Sequence, residues 1–267
     1  MPILCVHLIS SSMTFTYDGT FEGLLTAIFE TYRLKANPER IAPADEWRGS
    51  LFEQPIYTET NEAYAKRVLT GVEKKCGRPA CDLLYRCSLS ELPEVPMLIY
   101  DFVKKAMASP LNVLDNYGDD TVLKLHQINK KIGREVHRMH AFVRFQRTKD
   151  DIYYAVIEPD FNVLPLLPDH FERRYPAQSW LIYDSRRRYG IFYDQKKTDF
   201  ITFADDHRLH LRQLNENLLD DTEPDYQILW KSYFDSVNIP ERRNLKLHLQ
   251  HVPKRYWKYL SEKREQF

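Results

Sequence analysis

The hydrophobic pattern of this chain changes its period near residue 140. Before that point apolar side chains recur every three to four residues, which is typical of amphipathic helices. Pro93 and Pro96 should interrupt the third of these segments, because proline breaks a helix interior. The pattern predicts a short strand over residues 14–17 and helices over residues 20–34, 61–75, 80–108 and 119–139.

The first predicted helix has the clearest start signal. The Tyr17-Asp18-Gly19 segment favours a tight turn out of the preceding strand, and Thr20 is a suitable N-cap. One face of this helix is apolar and is expected to be core. It carries Phe21, Leu24, Leu25, Ile28, Phe29 and Tyr32.

After residue 140 apolar and polar positions alternate, which predicts strands. The strands are expected over residues 141–147, 152–158, 179–184, 189–194 and 199–203, with a helix over residues 165–175. Short polar connections between them favour an antiparallel sheet. Helices return from residue 224, and Pro253 is expected in the first turn of the last one.

These elements predict an α+β fold with a central antiparallel sheet of about five strands over residues 141–203, flanked by N-terminal and C-terminal helices. We expect a single domain over residues 1–267. The alternative is a division into a helical part, 1–118, and a sheet-plus-helix part, 119–267.

Composition narrows the class of protein. The 267 residues are 43% hydrophobic, which is enough for a buried core. No apolar run is long enough for a membrane span and no signal-peptide pattern begins the chain, so we expect a cytoplasmic protein without membrane contact. Cys76, Cys81 and Cys87 match no common zinc or cluster spacing, so reduced thiols are expected, with an iron–sulfur site as the alternative.

The net charge is zero, but the charge is unevenly distributed. Residues 124–147 contain seven Lys or Arg against Glu135, and residues 241–264 contain eight against two acids. Residues 205–225 contain seven acids against two arginines. The two basic segments predict one shared positive patch if folding brings them together; two unrelated solvated faces are the alternative.

Phosphate-binding candidates lie in the first basic segment. Lys130, Arg134 and His137 share a stripe of the predicted helix by their spacing, and Arg144 follows it. Such a stripe suits successive phosphates, although a solvated basic face has the same pattern. His137 and His140 could contact one metal ion, but no third ligand is evident, so we expect no metal and no cofactor.

Acid–base candidates lie further along the chain. Asp169, His170 and Glu172 combine carboxylate and imidazole groups, and Asp160 precedes them. Arg173 and Arg174 follow directly, so a phosphate clamp is favoured over catalysis there.

The C-terminal segment combines cations with aromatic rings. Its nucleic-acid-binding candidates are Arg242, Arg243, Asn244, Lys254, Arg255 and Tyr256. Arginine and lysine contact phosphates, and a tyrosine ring can stack on a base. The alternative is that the rings attach the last helix to the core, with Trp257 buried and Arg255 exposed.

Several of these segments carry a resemblance. They are residues 16–23, 137–145, 158–159 and 170–174, Trp180, Trp230, Tyr233, Arg242, Asn244 and residues 252–257. Together they resemble a bacterial family of DNA-metabolism or DNA-repair proteins that contains a domain of unknown function. Members of that family are found paired with a radical SAM protein linked to DNA repair, and a related domain is fused to uracil-DNA glycosylase-like domains.

The resemblance implies a protein that binds DNA and works with a radical SAM partner. One alternative is a glycosylase-like enzyme that acts on damaged bases, with an acid among Asp160, Asp169 and Glu172. The other is a protein-interaction adaptor without nucleic-acid contact, in which the acidic segment 205–225 meets a basic partner.

Overall fold

The structure, a computed structural model, describes residues 13–48, 54–203, 219–237, 249 and 251–263. The chain divides into two compact units, residues 1–130 and 131–267. Helix α5 (Asp120–Phe142) crosses the division.

The first unit contains a three-stranded parallel sheet as well as helices. Strands β1 (Met13–Tyr17), β2 (Pro38–Pro43) and β3 (Ile56–Tyr57) lie in the order β2-β1-β3. The sequence-based description of this part as helical was therefore incomplete. The pairing is parallel because helix α1 (Phe21–Arg33) returns the chain from the end of β1 to the start of β2.

Helix α1 starts as its sequence predicts. Thr20 is the N-cap, and its hydroxyl accepts a hydrogen bond from the Gly23 amide at 2.9 Å. Gly19 has φ +82°, a conformation that favours glycine. The buried face is narrower than expected: Leu24, Leu25 and Ile28 are buried, whereas Phe29 is half-buried and Tyr32 is 45% exposed.

Three further helices complete the first unit beside the start of α5. They are α2 (Glu62–Cys76), α3 (Arg78–Ser88) and α4 (Val95–Ala108). The segment predicted as one interrupted helix over residues 80–108 is two helices, because α3 ends before Pro93 and α4 begins beside Pro96. The apolar stripe of α5 is buried at Leu125, Ile128, Ile132 and Met139.

The second unit contains a five-stranded sheet of order β4-β5-β6-β7-β8. Its strands are β4 (Gln146–Arg147), β5 (Tyr153–Ile157), β6 (Trp180–Asp184), β7 (Tyr189–Tyr193) and β8 (Thr198–Ile201). The strand expected over residues 141–147 is reduced to two residues, because α5 continues to Phe142.

The sheet is mixed, so the expectation of a wholly antiparallel sheet was wrong at one pairing. The three hairpins are antiparallel, but β5 and β6 pair in parallel. The connection between these two strands is a crossover that contains a short 3₁₀ helix (Leu164–Leu166) and α6 (Pro168–Arg174). This crossover brings the chain back to the end of the sheet where β5 begins, so β6 runs parallel to β5. The α+β class is confirmed.

Aromatic rings form much of the core of the second unit. Trp180 is fully buried and stacks on Tyr193 at 5.2 Å between ring centroids. Phe171 of α6 packs edge-on against Trp180 at 6.0 Å, and Phe145 packs edge-on against Phe171 at 5.7 Å. These contacts attach α6 to the sheet.

The C-terminal part contributes helix α7 (Glu223–Val237) and a short 3₁₀ helix (Lys254–Tyr259). Pro253 directly precedes the 3₁₀ helix, where the sequence predicted an α-helical first turn. Within the described ranges, none of the helices combines the length and the apolar character needed to cross a bilayer.

Candidate nucleic-acid interface

The loop that follows β5 is held by a buried carboxylate from α5. Only 2% of the Glu135 side chain is exposed. Its Oε1 accepts hydrogen bonds from the Asp160 amide at 2.9 Å and from the Tyr256 hydroxyl. Glu135 therefore ties the loop and the C-terminal 3₁₀ helix to α5.

Two guanidinium groups contact the other oxygen of Glu135. Arg138 Nη1 lies 3.2 Å and Arg255 Nη2 lies 3.7 Å from Glu135 Oε2. Arg255 Nη2 also pairs with Asp160 Oδ2 at 2.6 Å. Because 42% of the Arg255 side chain is exposed, the buried acid orients a guanidinium that still reaches solvent.

A second buried carboxylate lies at the end of β6. Asp184 is fully buried, and its Oδ2 accepts a hydrogen bond from Arg187 Nη1 at 2.8 Å. Burial raises the pKa of Asp184, and the hydrogen bond and charge of Arg187 offset only part of that increase. Arg187 also donates to the carbonyl groups of Pro159 and Asp160, both at 3.1 Å, so the β6–β7 turn supports the same loop.

The third ion pair of the loop is closer to solvent. Lys258 Nζ lies 2.6 Å from Glu158 Oε2, and the Tyr259 hydroxyl donates to the same carboxylate. Burial opposes protonation of Lys258, but the hydrogen bonds and charges of Glu158 and Tyr259 together outweigh it and raise the pKa of the lysine.

We call these eight side chains the charged cluster: Glu135, Glu158, Asp160 and Asp184 with Arg138, Arg187, Arg255 and Lys258. The four carboxylates balance the four cations. Four further cations lie beside them in the chain and are exposed, namely Arg134, Arg186, Arg188 and Lys254. The neighbourhood therefore has a local excess of positive charge in a protein of zero net charge.

A comparison with known families matches this region. Residues 93–262 match the profile of a family described as a domain of unknown function, DUF4130. The chain belongs to the DUF4130 family. The matched range contains every residue of the charged cluster. No curated protein matches the chain.

Several residues predicted to bind nucleic acid in this DUF4130 chain have other partners. Tyr256 is only 1% exposed and donates to Glu135, so its ring cannot stack on a base as predicted. Arg144 pairs with Glu262 at 2.8 Å and lies 5.3 Å from the Trp230 ring centroid. Trp257 is buried and Arg255 partly exposed, which confirms that expectation. Arg242, Arg243 and Asn244 lie outside the described residues.

Contacts nevertheless join the two basic segments of the sequence. Glu135 and Arg138 meet Arg255 and Tyr256, and Arg144 meets Glu262. His137 is exposed on α5. Lys130 is exposed on the same helix but belongs to the first unit.

Among the described residues, the contacts of the candidate site residues on α6 do not include members of the charged cluster. Asp169 is exposed, and Glu172 Oε1 accepts a hydrogen bond from the Thr198 hydroxyl at 2.5 Å. Arg173 and Arg174 are exposed at the end of the helix. None of the contacts found among the described residues joins Asp160 to Asp169, His170 or Glu172.

His170 stacks on His140 of α5, with 3.9 Å between ring centroids. Burial, followed by the neighbouring His170 and His137, lowers the pKa of His140 to about 4. Burial and the charges of Arg173 and Arg174 also lower the pKa of His170. Both shifts favour the neutral imidazole, which allows the two rings to stack without charge repulsion.

The three cysteines that the structure describes, Cys76, Cys81 and Cys87, are free thiols. Cys87 Sγ donates to the Leu125 carbonyl at 3.2 Å, and burial raises the pKa of Cys87 to about 12. Cys76 is buried and Cys81 is partly buried. In the part of the chain that the structure describes, no three His, Cys, Asp or Glu side chains form a metal-binding group.

Sequence reasoning predicted Asp160 and Arg255 as site residues but missed the other six members of the charged cluster: Glu135, Glu158, Asp184, Arg138, Arg187 and Lys258. Glu135 was visible as the lone acid in a basic segment, which is a signal for a buried ion pair. Asp184 and Arg187 read as parts of a hairpin turn, and nothing in the local pattern pointed to the loop after β5.

Proposed function

We propose that this protein binds DNA through the surface around the charged cluster. The observation that carries the proposal is the arrangement of Glu135, a buried carboxylate that orients the guanidinium groups of Arg138 and Arg255. An oriented guanidinium presents a planar set of donors that suits phosphate oxygens.

The placement of charge supports the same function. The carboxylates Glu135 and Asp184 are buried, whereas Arg134, Arg186, Arg188 and Lys254 are exposed beside them. Arg134 lies four residues before Arg138 on α5, so the two side chains share a helix face. The exposed cations therefore outnumber the carboxylates that reach solvent, Glu158 and Asp160, at this surface.

The loop also occupies a favourable position in the sheet. Residues 158–160 follow the carboxyl end of β5, which pairs in parallel with β6. Ligands of sheets with parallel strands commonly bind beyond the carboxyl ends of those strands. By resemblance, the DNA surface works together with a radical SAM enzyme in DNA repair.

Binding should be measured by fluorescence anisotropy with labelled single-stranded and duplex 25-mers over a range of salt. Affinity should fall with salt, with a slope of about 0.9 per neutralised phosphate on duplex and about 0.7 on a single strand. The double variant Arg134→Ala with Lys254→Ala should bind more weakly and reduce the slope by about one for each phosphate that it no longer neutralises.

The matched control is Lys66→Ala, which removes an exposed cation from α2 in the first unit. It should leave both affinity and slope unchanged. Equal losses in the control and in the double variant, or no DNA binding by the wild type, would contradict the proposal.

The α6 residues test the glycosylase-like alternative. If Arg173 and Arg174 clamp phosphate, their double alanine variant should weaken binding, while Asp169→Asn and Glu172→Gln should matter little. If the protein is instead a glycosylase-like enzyme, the reverse is expected. The carboxylate variants, or Asp160→Asn, should keep their affinity for DNA but lose about 10²–10⁴-fold in turnover. The measurement is release of free base from lesion-containing DNA by the wild-type protein.

The alternative of a protein-interaction adaptor predicts a different experimental result. Its proposed contact, the acidic segment 205–225, lies largely outside the described residues. Tight binding to a basic protein partner without any salt-dependent affinity for DNA would favour the adaptor over the DNA-binding protein.

A further inference from the structure

A cleft of about 540 Å³ lies in the second unit, away from the charged cluster. This volume is within the range of about 300–1,000 Å³ that is usual for small-molecule sites. Its lining includes Phe145, Gln146, Tyr153, Tyr175 and Gln178, together with residues of α7. No part of the DNA surface proposed above accounts for it.

Helix α7 presents a single face to this cleft. Glu223, Tyr226, Gln227 and Trp230 line it, at the i, i+3, i+4 and i+7 spacing of one helix face. Ile228, on the same helix, is 66% exposed and does not line the cleft.

The helix is attached to β4 in a way that holds this face in place. The Glu223 carboxylate accepts hydrogen bonds from the Arg147 amide at 3.0 Å and from Gln227 Nε2 at 3.2 Å. Trp230 Nε1 donates to Glu262 at 3.0 Å, and Glu262 also binds Arg144. Burial opposes ionisation of Glu262, but Arg144 outweighs it and lowers the pKa of that carboxyl.

The charged side chains of the cleft are therefore satisfied by the protein, whereas two carboxamides are not. Neither Gln146 nor Gln178 has a side-chain hydrogen-bond partner within the described ranges of the chain, and both are half-buried. A carboxamide offers a donor and an acceptor side by side, which matches the edge of a nucleobase.

Two tyrosine rings of the cleft offer surfaces on which a nucleobase could stack. Tyr175 is supported edge-on by Phe145 at 5.5 Å, and Tyr226 of α7 is 60% exposed; both line the cleft. An exposed ring can stack on the face of a base, as in proteins that bind unstacked nucleotides. Arg174 lies 6.0 Å from the Tyr175 ring centroid and is exposed, so a cation able to contact a phosphate lies beside this ring.

We propose that this cleft holds a single unstacked nucleobase, with Tyr175 and Tyr226 against its faces and Gln146 and Gln178 at its edge. The proposal rests on the proposed function in that the base comes from bound DNA. Tyr153 lines the cleft at one end of β5, and Glu158 follows the other end, so the two sites are about 16 Å apart along the strand. At about 3.4 Å per nucleotide, a strand held at the cluster reaches the cleft within roughly five nucleotides.

The first test uses free nucleosides, because they do not need the DNA surface. Saturation-transfer NMR with adenosine, guanosine, cytidine, thymidine and uridine should show binding to the full-length protein, and deoxyribose alone should not bind. Tyr226→Ala should weaken nucleoside binding by roughly 5- to 150-fold, which corresponds to the loss of one stacked ring. Gln178→Ala should change the preference among the bases.

Ile228→Ala is the matched control, since it truncates an exposed side chain of the same helix outside the cleft. It should leave nucleoside binding unchanged. Binding of indole or toluene without binding of any nucleoside would overturn the proposal, because it would indicate an apolar pocket. An equal loss in Tyr226→Ala and Ile228→Ala would also overturn it.

A second test separates this inference from the proposed function. The Arg134→Ala, Lys254→Ala double variant should bind DNA more weakly and bind nucleosides as the wild type does. Intact DNA binding without nucleoside binding overturns the cleft proposal alone. Nucleoside binding without DNA binding supports the base-holding cleft and overturns the proposed function.

Discussion

Within the charged cluster, Glu135 is the buried carboxylate that joins α5 to the loop after β5 and to the C-terminal 3₁₀ helix. It is buried, and it contacts two guanidinium groups, a backbone amide and a tyrosine hydroxyl. A buried charge of this kind is tolerated only because each oxygen has partners. Removing it leaves Arg138 without its counter-charge, leaves Arg255 paired with Asp160 alone, and leaves the Asp160 amide and the Tyr256 hydroxyl without their acceptor.

We therefore expect Glu135→Ala to lower the free energy of unfolding by about 3–5 kcal/mol, which is typical of breaking a buried ion pair. Urea denaturation at pH 7 measures this. Glu59→Ala is the control, because Glu59 is exposed on the loop before α2, and it should change stability by less than about 0.5 kcal/mol. Similar effects of the two substitutions would contradict the structural role of Glu135.

His140 makes stability depend on pH. Its pKa is about 4 in the folded protein, compared with about 6.5 in an unfolded chain. Between these values the unfolded state binds more protons, so the stabilisation is complete above about pH 6.5 and is lost as the pH falls towards 4. His140→Phe should keep a ring against His170 and remove this titration.

Urea denaturation at pH 7.5 and pH 5 provides the measurement. The wild type should lose more stability between these pH values than His140→Phe does. An equal loss in both proteins would show that His140 titrates normally in the folded state.

At the scale of elements, α1 shows the difference between an apolar pattern and a buried face. Leu25 is fully buried, whereas Phe29 is half-buried, stacks on Tyr64 at 4.3 Å and has Arg67 4.9 Å from its ring centroid. The buried arc also includes small residues, such as Ala27, that the large-apolar pattern did not single out.

The expected cost of truncation follows this burial. Leu25→Ala should lower the free energy of unfolding by about 2–5 kcal/mol. Phe29→Ala should cost less than about 3 kcal/mol, the lower limit for a fully buried phenylalanine. Chemical denaturation of both variants checks this, and a greater loss for Phe29→Ala would show that its ring is core.

The strands show a similar division between local and distant causes. The three hairpins of the second unit were predicted from their polar loops, because a short loop forces the next strand to run antiparallel. The parallel pairing of β5 with β6 was not predicted, since a helix-containing connection of this length can return the chain in either direction.

At the scale of the whole molecule, the balance of charge is the dominant property. Lys and Arg equal Asp and Glu in number, and the sequence pI is about 7.1. The charged cluster is balanced as well, so the positive excess comes only from the exposed cations around it. Any affinity for DNA must therefore depend on a few residues, not on the overall field.

The zero net charge also predicts how self-association of the protein should depend on pH. We expect self-association to be strongest close to pH 7, where the net charge is near zero, and to weaken at lower and higher pH. Light scattering from pH 5 to pH 9 in low salt measures this. A maximum well below pH 6 would mean that the charges titrate far from their ordinary values.

The sequence by itself determined the α+β class, the main helices, most strand positions and the two basic segments. These features arise from local periodicity, capping and turn residues, which act over a few positions of the chain. Only the tertiary structure decided the parallel β5–β6 pairing, the burial of Glu135 and Tyr256, and the cleft lined by α7, Tyr153 and Tyr175. Glu135 and Arg255 are 120 positions apart, and Arg144 and Glu262 are 118 apart. No local pattern determines which distant charges and rings meet, because that depends on how crossovers and helices pack.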